Sequence, residues 1–444
     1  MPPGPRLPTA VQSLMLWGGI DKFLERCRRR YGPVFTARIA PMGTLVYVTD
    51  PAAIRRIFTG DTSVLHAGEA NGTVLAKVMG RHSVLILDGD DHLRQRKRML
   101  PPFHGESVRR YGEVIEEVTR EEVARWPVGR ELQLHAPMHR ITLEVIMRAV
   151  IGVEDEGRLA ELRRLLPRLV NLNAVLLMAW VWPRLNAVGP WRRFEKLQQT
   201  VDALLYDEIR RRRSDPTLEG RTDILSLLIR GSDGEEPMTD EELRDQLVTL
   251  LLAGHETTAT GLAWAFERLL RHAEALQRLT AEIAAGEDLY LDAVVKETLR
   301  VRPVIFDVAR KLKAPVEVSG YRVPAGATLM PAIGIVQRSC ASWEHPRRFR
   351  PERFLDGQPD PYTWIPFGGG TRRCLGAAFA TFEMKTVLRT VLAELELRAD
   401  RPQPERVKMR HITLVPARRA RAVVVRRRAL RPASFDAEAA EAVA

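Results

Sequence analysis

Phe367-Gly368-Gly369-Gly370-Thr371-Arg372-Arg373-Cys374-Leu375-Gly376 is the stretch whose reading decides the fold of this 444-residue chain. It places one cysteine at the mouth of a helix, because Leu375 to Ala380 opens a long helical pattern. Helix N–H groups and the macrodipole stabilise an anionic sulfur there. The glycines Gly368, Gly369 and Gly370 let backbone approach a flat ligand with no Cβ in the way, and Arg372 sets a fixed positive charge two residues before the sulfur. A thiolate held in this manner is a metal ligand. The bland alternative is a Gly-rich turn with an inert cysteine.

The spacing Phe-x-x-Gly-x-Arg-x-Cys-x-Gly, here Phe367, Gly370, Arg372, Cys374 and Gly376, resembles the haem-binding loop of the cytochrome P450 family. The resemblance implies haem b (iron protoporphyrin IX), with Cys374 on the iron and Phe367, Gly368, Arg372 and Gly376 around the macrocycle. Three other segments extend it.

Asp240 to Arg271 reads as one helix, opened by a Thr239/Glu242 capping box and carried by Leu243, Leu247, Leu250, Leu251, Leu262, Leu269 and Leu270. At 1.5 Å per residue it spans roughly 48 Å. Its middle, Ala253-Gly254-His255-Glu256-Thr257-Thr258, carries small and polar residues where a buried helix should be large and apolar. Ala253 and Thr257 share a face that can lie close over a planar cofactor. The segment is similar to the family's oxygen-activating helix, which makes Ala253 and Gly254 cofactor contacts and Glu256 and Thr257 the catalytic pair. The alternative is that Thr257 bonds a carbonyl one turn back and Glu256 is a solvated charge.

Glu297 and Arg300 lie on one helical face, with Arg353 following in Pro351-Glu352-Arg353-Phe354. In the family these three form a structural triad, so they are assigned to folding and cofactor retention. In the basic run His92 to Arg98, His92 and Arg96 are four apart and resemble a propionate clamp, with His for the commoner Trp; Arg310 and Arg372 are further candidates. Arg94, Lys97 and Arg98 are expected to face water. The resemblance runs from Tyr31-Gly32-Pro33 to a C-terminal hairpin at Ile412 to Pro416, with one departure, Gln337-Arg338-Ser339 for His-Arg-Asp, which touches local packing only.

Composition agrees with one large enzyme domain over 1–428 and a disordered Ala/Glu-rich tail over 429–444. Helical patterns dominate from 91 to 300, and strands are expected at Val34–Ile39, Thr44–Thr49, Val316–Val318, Thr328–Pro331 and Ala420–Val425. That is a mainly α fold with minor β, which the resemblance makes a helical domain and a small sheet region around a buried haem. Three cysteines (Cys27, Cys340, Cys374) fit a reducing cytoplasm. The apolar stretch Ala10 to Ile20 falls short of the roughly 20 residues that cross a bilayer. A net charge of +12 comes with no nucleic-acid motif. Its expected use is a basic surface near the cysteine loop, built by Arg373, Lys385, Arg94 and Arg98, that docks an acidic ferredoxin fed by its reductase.

The resulting expectation is a haem-thiolate monooxygenase that takes two external electrons and puts one oxygen atom of O2 into a small lipophilic substrate. The alternatives are a haem-thiolate isomerase or peroxygenase, or a non-enzymatic haem sensor or carrier. The apolar stretch Leu169 to Trp182 roofs the substrate pocket by family position, although ordinary helix packing is the expected role of at least half of its residues; residues 66–87, Val304 to Val308 and Thr413 are further pocket candidates by family position.

Overall fold

The structure, a computed structural model, describes residues 1–103, 105–170, 189–231 and 236–428. The long helix runs Asp240–Leu269, two residues short of the expected end. Its start follows from sequence: Thr239 Oγ accepts from Glu242 N and the Glu242 carboxylate accepts from Thr239 N, while Asp240, Glu241 and Glu242 complement the helix dipole. Its end is tertiary. The Arg271 guanidinium is drawn to Asp400 at 2.9 Å, and His272 Nδ1 sits 2.6 Å from Arg268 O. The helix is apolar on several sides because other helices surround it, His135–Val145 among them.

The cysteine loop leads into Ala377–Glu394, which packs on the long helix and on Leu289–Val301, the helix that carries Glu297 and Arg300. Apolar side chains from all these helices form the largest core.

The β structure sits to one side. A five-stranded sheet runs in the order Val34–Ile39, Gly43–Val48, Thr328–Pro331, Arg310–Leu312, Leu65–His66, with one parallel pairing, Leu45 opposite Thr328. Three expected strands appear with the expected bounds; the other two shift by one or two residues at each end. Leu395–Ala399 was not expected as a strand, although Leu395 and Leu397 are buried in strict alternation with Glu396 and Arg398. The hairpin Val407–Arg410/Thr413–Pro416 is fastened to the long helix: Trp264 Nε1 donates to Leu414 O at 2.6 Å and Leu414 N donates to Val304 O at 2.8 Å. That hairpin brings Arg410 and Thr413 to the middle of the long helix.

The stretch Ala10 to Ile20 breaks at Gly18-Gly19 into Thr9–Gly18 and Ile20–Tyr31. Among the described residues no helix is long and apolar enough to cross a membrane.

Candidate active site

The cysteine loop is closed by its own backbone. Cys374 N donates to Phe367 O at 2.8 Å, Gly368 N to Ile365 O at 3.0 Å and Arg373 N to Gly370 O at 3.0 Å. Gly368 and Gly370 have φ of 68° and 63°, which glycine adopts without strain. A Cβ on Gly369 would lie 2.4 Å from the Phe58 ring, and one on Gly370 would lie 1.8 Å from Phe58 O. Two of the three glycines therefore serve contact with the helix Pro51–Phe58, which corrects the expectation that all three clear space for a ligand. Gly368 and Gly376 have no protein atom within 4 Å of such a Cβ. Phe367 packs edge-on against Trp364, with centroids 6.1 Å apart.

The Cys374 side chain is exposed, yet burial in surrounding protein raises its pKa. Both hold if the sulfur opens into a space inside the molecule. The Gly376 N–H, Arg96 and Arg373 pull the other way, toward thiolate. The expected helix mouth is thus real, but without a cation on the sulfur burial outweighs it.

Four basic side chains gather at His92, and one of them, Arg96, faces that sulfur. His92 and Arg96 come from the helix Gly89–Met99, Arg310 from a central strand and Arg372 from the loop. Burial, then Arg372, Arg96 and Arg310, push His92 down to about 3, so it is a neutral donor. Burial, with Arg372 repelling Arg310 and Arg96 repelling Arg372, brings Arg310 and Arg372 down to about 10. One carboxylate is nearby. Asp88 accepts from Arg372 at 2.5 Å, and Arg372 also reaches Val84 O and Leu87 O. Buried cations in excess of carboxylates need anions. A metal macrocycle with two carboxylates fits this donor set.

Mid-way along the long helix, Ala253 is exposed although most of the helix is buried, and Thr257 on the same face is half-buried. Thr257 Oγ donates to Ala253 O at 2.6 Å, as the bland alternative held. Its lone pairs remain free to accept. A Cβ on Gly254 would meet Ile146, just past the helix His135–Val145, at 3.2 Å, because residue 254 is turned roughly 100° from Ala253. Glu256 departs from the bland reading. It is 8% exposed, Thr413 Oγ lies 3.3 Å from its Oε1 and shares its single hydrogen with Arg410 O at 2.9 Å, and Arg410 Nε lies 3.9 Å away. Thr413, expected in the pocket wall, is instead 2% exposed and bound to that carboxylate.

The Glu297 triad assembles as expected. Glu297 and Arg300 are both fully buried and paired through two hydrogen bonds of 2.6 and 2.9 Å, Arg353 Nε adds 3.2 Å and Arg350 N adds 2.8 Å. Arg300 also donates to Gln337 O, Pro346 O and Arg348 O. Gln337, the departure from the family pattern, does more than local packing. Its amide donates to Leu299 O and its Oε1 accepts from Ile365 N at 2.9 Å, which ties the triad to the base of the cysteine loop.

The expected docking surface is thinner than the charge count. Arg98 does not face water; its side chain is 9% exposed and bonded to Glu242 at 3.0 Å. Lys385 pairs with Asp288 at 2.6 Å, and Arg94 with Asp91 at 2.8 Å. Arg373 is exposed. Within Leu169 to Trp182, Leu169 is buried in the core, and 171–182 lie outside the described residues, as does the tail 429–444. Sequence reading missed Asp307, whose carboxyl burial pushes up to about 7; a lone acid in the run Val304-Ile305-Phe306-Asp307-Val308 was its signal.

Known proteins resemble this chain over most of its length. The family model described as Cytochrome P450 matches residues 1–422. A Mycobacterium tuberculosis protein carrying the designation cytochrome P450 135B1 is 49% identical, covering 99% of this chain and 94% of its own, and one designated 135A1 is 42% identical over 94% and 93%. The solved retinoic-acid-bound cyanobacterial CYP120A1 superposes with a TM-score of 0.82 at 23% identity over 96% of this chain and 99% of that one. The heme domain of cytochrome P450DA gives 0.80 at 23% identity over 97% and 98%. With its cysteine loop, cation cluster and long helix in these positions, the chain belongs to the cytochrome P450 family of haem-binding oxidoreductases.

Proposed function

We propose that the protein is a haem-thiolate monooxygenase acting on a small lipophilic substrate. The observation that carries this reading is the His92/Arg96/Arg310/Arg372 cluster, buried cations in excess of carboxylate, with Arg96 facing the exposed Cys374 sulfur; the small exposed Ala253 and half-buried Thr257 on one face of the long helix support it. Haem b supplies dioxygen binding and redox chemistry when held there, with Cys374 as the iron's thiolate. Neutral His92, with Arg96 and Arg310, holds the propionates, and Arg372, already tied to Asp88, braces the loop beside them.

The chain's own part is proton supply and exclusion of water. Thr257 Oγ gives its hydrogen to Ala253 O, so it accepts a hydrogen bond from a proton-bearing oxygen at that face; passing the proton on requires release from Ala253 O. Glu256 faces Arg410, whose side chain is 40% exposed, and so takes protons from the surface side. An intact acid and threonine favour dioxygen activation over isomerase, peroxygenase, sensor or carrier roles. Electrons come from a ferredoxin docking near Arg373, in the cytoplasm.

Reduced protein under carbon monoxide is expected to show the Soret band of a thiolate-ligated haem, and Cys374→Ala to lose it. A mutant spectrum equal to wild type overturns the ligand assignment. Product formed per NADPH consumed with its ferredoxin and reductase, in a screen of lipophilic compounds, tests the monooxygenase assignment.

A further inference from the structure

On the side of the long helix turned away from Ala253, three histidines gather. His255 lies roughly 200° around the helix from Ala253. His135 and His139 reach it from the helix His135–Val145, where four-residue spacing puts both on one face. Ring centroids are 4.5 Å apart for His135 and His139 and 5.2 Å for His139 and His255. Donor atoms of His139, His255 and Glu256 all lie within 4.8 Å of one another.

The tautomers suit a cation. His255 Nδ1 is 3.3 Å from Leu251 O, and a carbonyl only accepts, so Nδ1 carries the hydrogen and Nε2 presents a lone pair. Thr142 Oγ donates to His255 O and fixes that turn. His139 Nε2 is buried and has no hydrogen-bond partner among the described residues, an arrangement that proteins avoid unless something else satisfies the atom. Burial, helped by Arg410, keeps the imidazoles neutral, with His255 down to about 4 and His139 to about 2. Thr413 Oγ, whose hydrogen is shared with Arg410 O at 2.9 Å, reaches only Glu256 Oε1, which leaves the other oxygen to coordinate.

We propose that His139, His255 and Glu256 bind a divalent first-row transition ion, zinc foremost, and that loading the ion withdraws Glu256 from proton supply. Two imidazoles and a carboxylate with a remaining position for water form a known zinc donor set. Ligand bonds of about 2.0–2.2 Å set donor atoms roughly 3.4 Å apart, so donor pairs now within 4.8 Å close by up to about 1.4 Å, within reach of side-chain rotations. Arg410 opposes the ion at 3.9 Å from Glu256 Oε1, but is exposed enough to swing into solvent. A carboxylate held by the cation cannot take up protons. The inhibitory half rests on the role proposed for Glu256; the binding half does not.

The test uses chelator-treated, haem-loaded protein and zinc chloride. Equilibrium dialysis should give one tight zinc per chain, and zinc-edge X-ray absorption should show nitrogen and oxygen neighbours with imidazole scattering and no sulfur. His139→Gln and His255→Gln should each weaken binding by about tenfold or more. Cys340→Ser, which removes the exposed thiol far along the chain, should not. A sulfur neighbour, or unchanged affinity in both histidine variants, overturns the site. Zinc should slow product formation in wild type and not in His139→Gln. Zinc bound through these ligands with full turnover supports the site and removes Glu256 from proton supply; no zinc binding sinks the site, and Glu256→Gln kinetics then still report on the proton role.

Discussion

Beneath the cysteine loop, Glu297 is fully buried and accepts from Arg300 twice, from Arg353 and from Arg350 N. Behind the long helix, Glu256 is almost as buried, yet has one threonine hydroxyl, a distant Arg410 and a histidine cluster with an unpartnered Nε2. The first carboxylate is saturated by donors and cannot change partner without breaking the network. The second is under-coordinated and has room for a new partner. Buried charge that is fully partnered gives rigidity; buried charge left partly satisfied is available for chemistry.

The contrast is broken most severely at Glu297. Removing one member of a buried pair leaves Arg300 uncompensated, so Glu297→Ala should lose about 3–5 kcal/mol of stability and most haem retention, measured by denaturant unfolding and haem content. A variant within about 0.5 kcal/mol of wild type, the scale of an ordinary surface change, would mean that the network is dispensable.

Glu383 sharpens the comparison, because it sits on the cysteine side without the partners of Glu297. It is 2% exposed, its Oε1 has no hydrogen-bond partner among the described residues, and burial raises its pKa to about 8. Its folded pKa is above the unfolded value of 4.5, so its stabilising effect is complete below pH 4.5 and is lost as pH rises toward 8. At pH 7 the loss is about 3 kcal/mol. Glu383→Gln should flatten that slope and be the more stable protein at pH 8 by thermal melting. Parallel pH profiles for the two proteins would contradict it.

On the far side, Thr257→Ala should keep haem and fold but lower product per NADPH several-fold, with the electrons recovered as peroxide, because an accepting hydroxyl is gone. Equal coupling in mutant and wild type would leave Thr257 as nothing more than a cap on Ala253 O. The smallest effect is expected at the surface. Arg373→Glu should slow ferredoxin reduction a few-fold at low salt, and the difference should shrink as the Debye length falls from about 10 Å at 0.1 M to about 3 Å at 1 M. Salt-independent rates with the mutant unchanged would remove that surface from electron transfer.

Sequence by itself determined whatever depends on spacing within one segment. The Phe367–Gly376 loop, the capping box at Thr239 and the Glu297/Arg300 pair are each set by residues a few positions apart, whose geometry follows from helix pitch and turn chemistry. Tertiary structure alone decided what meets across the chain. Arg98 finds Glu242, 144 residues away, where a run of charge reads as a solvated face, and Thr413 finds Glu256 across 157 residues, where a hairpin residue reads as pocket wall. Gly254 turns to Ile146, Gly369 and Gly370 turn to Phe58, and three histidines from two helices meet behind the long helix. Periodicity fixes the face that a residue occupies, but packing of separate elements fixes which partner that face meets, and with it each buried group's charge and pKa.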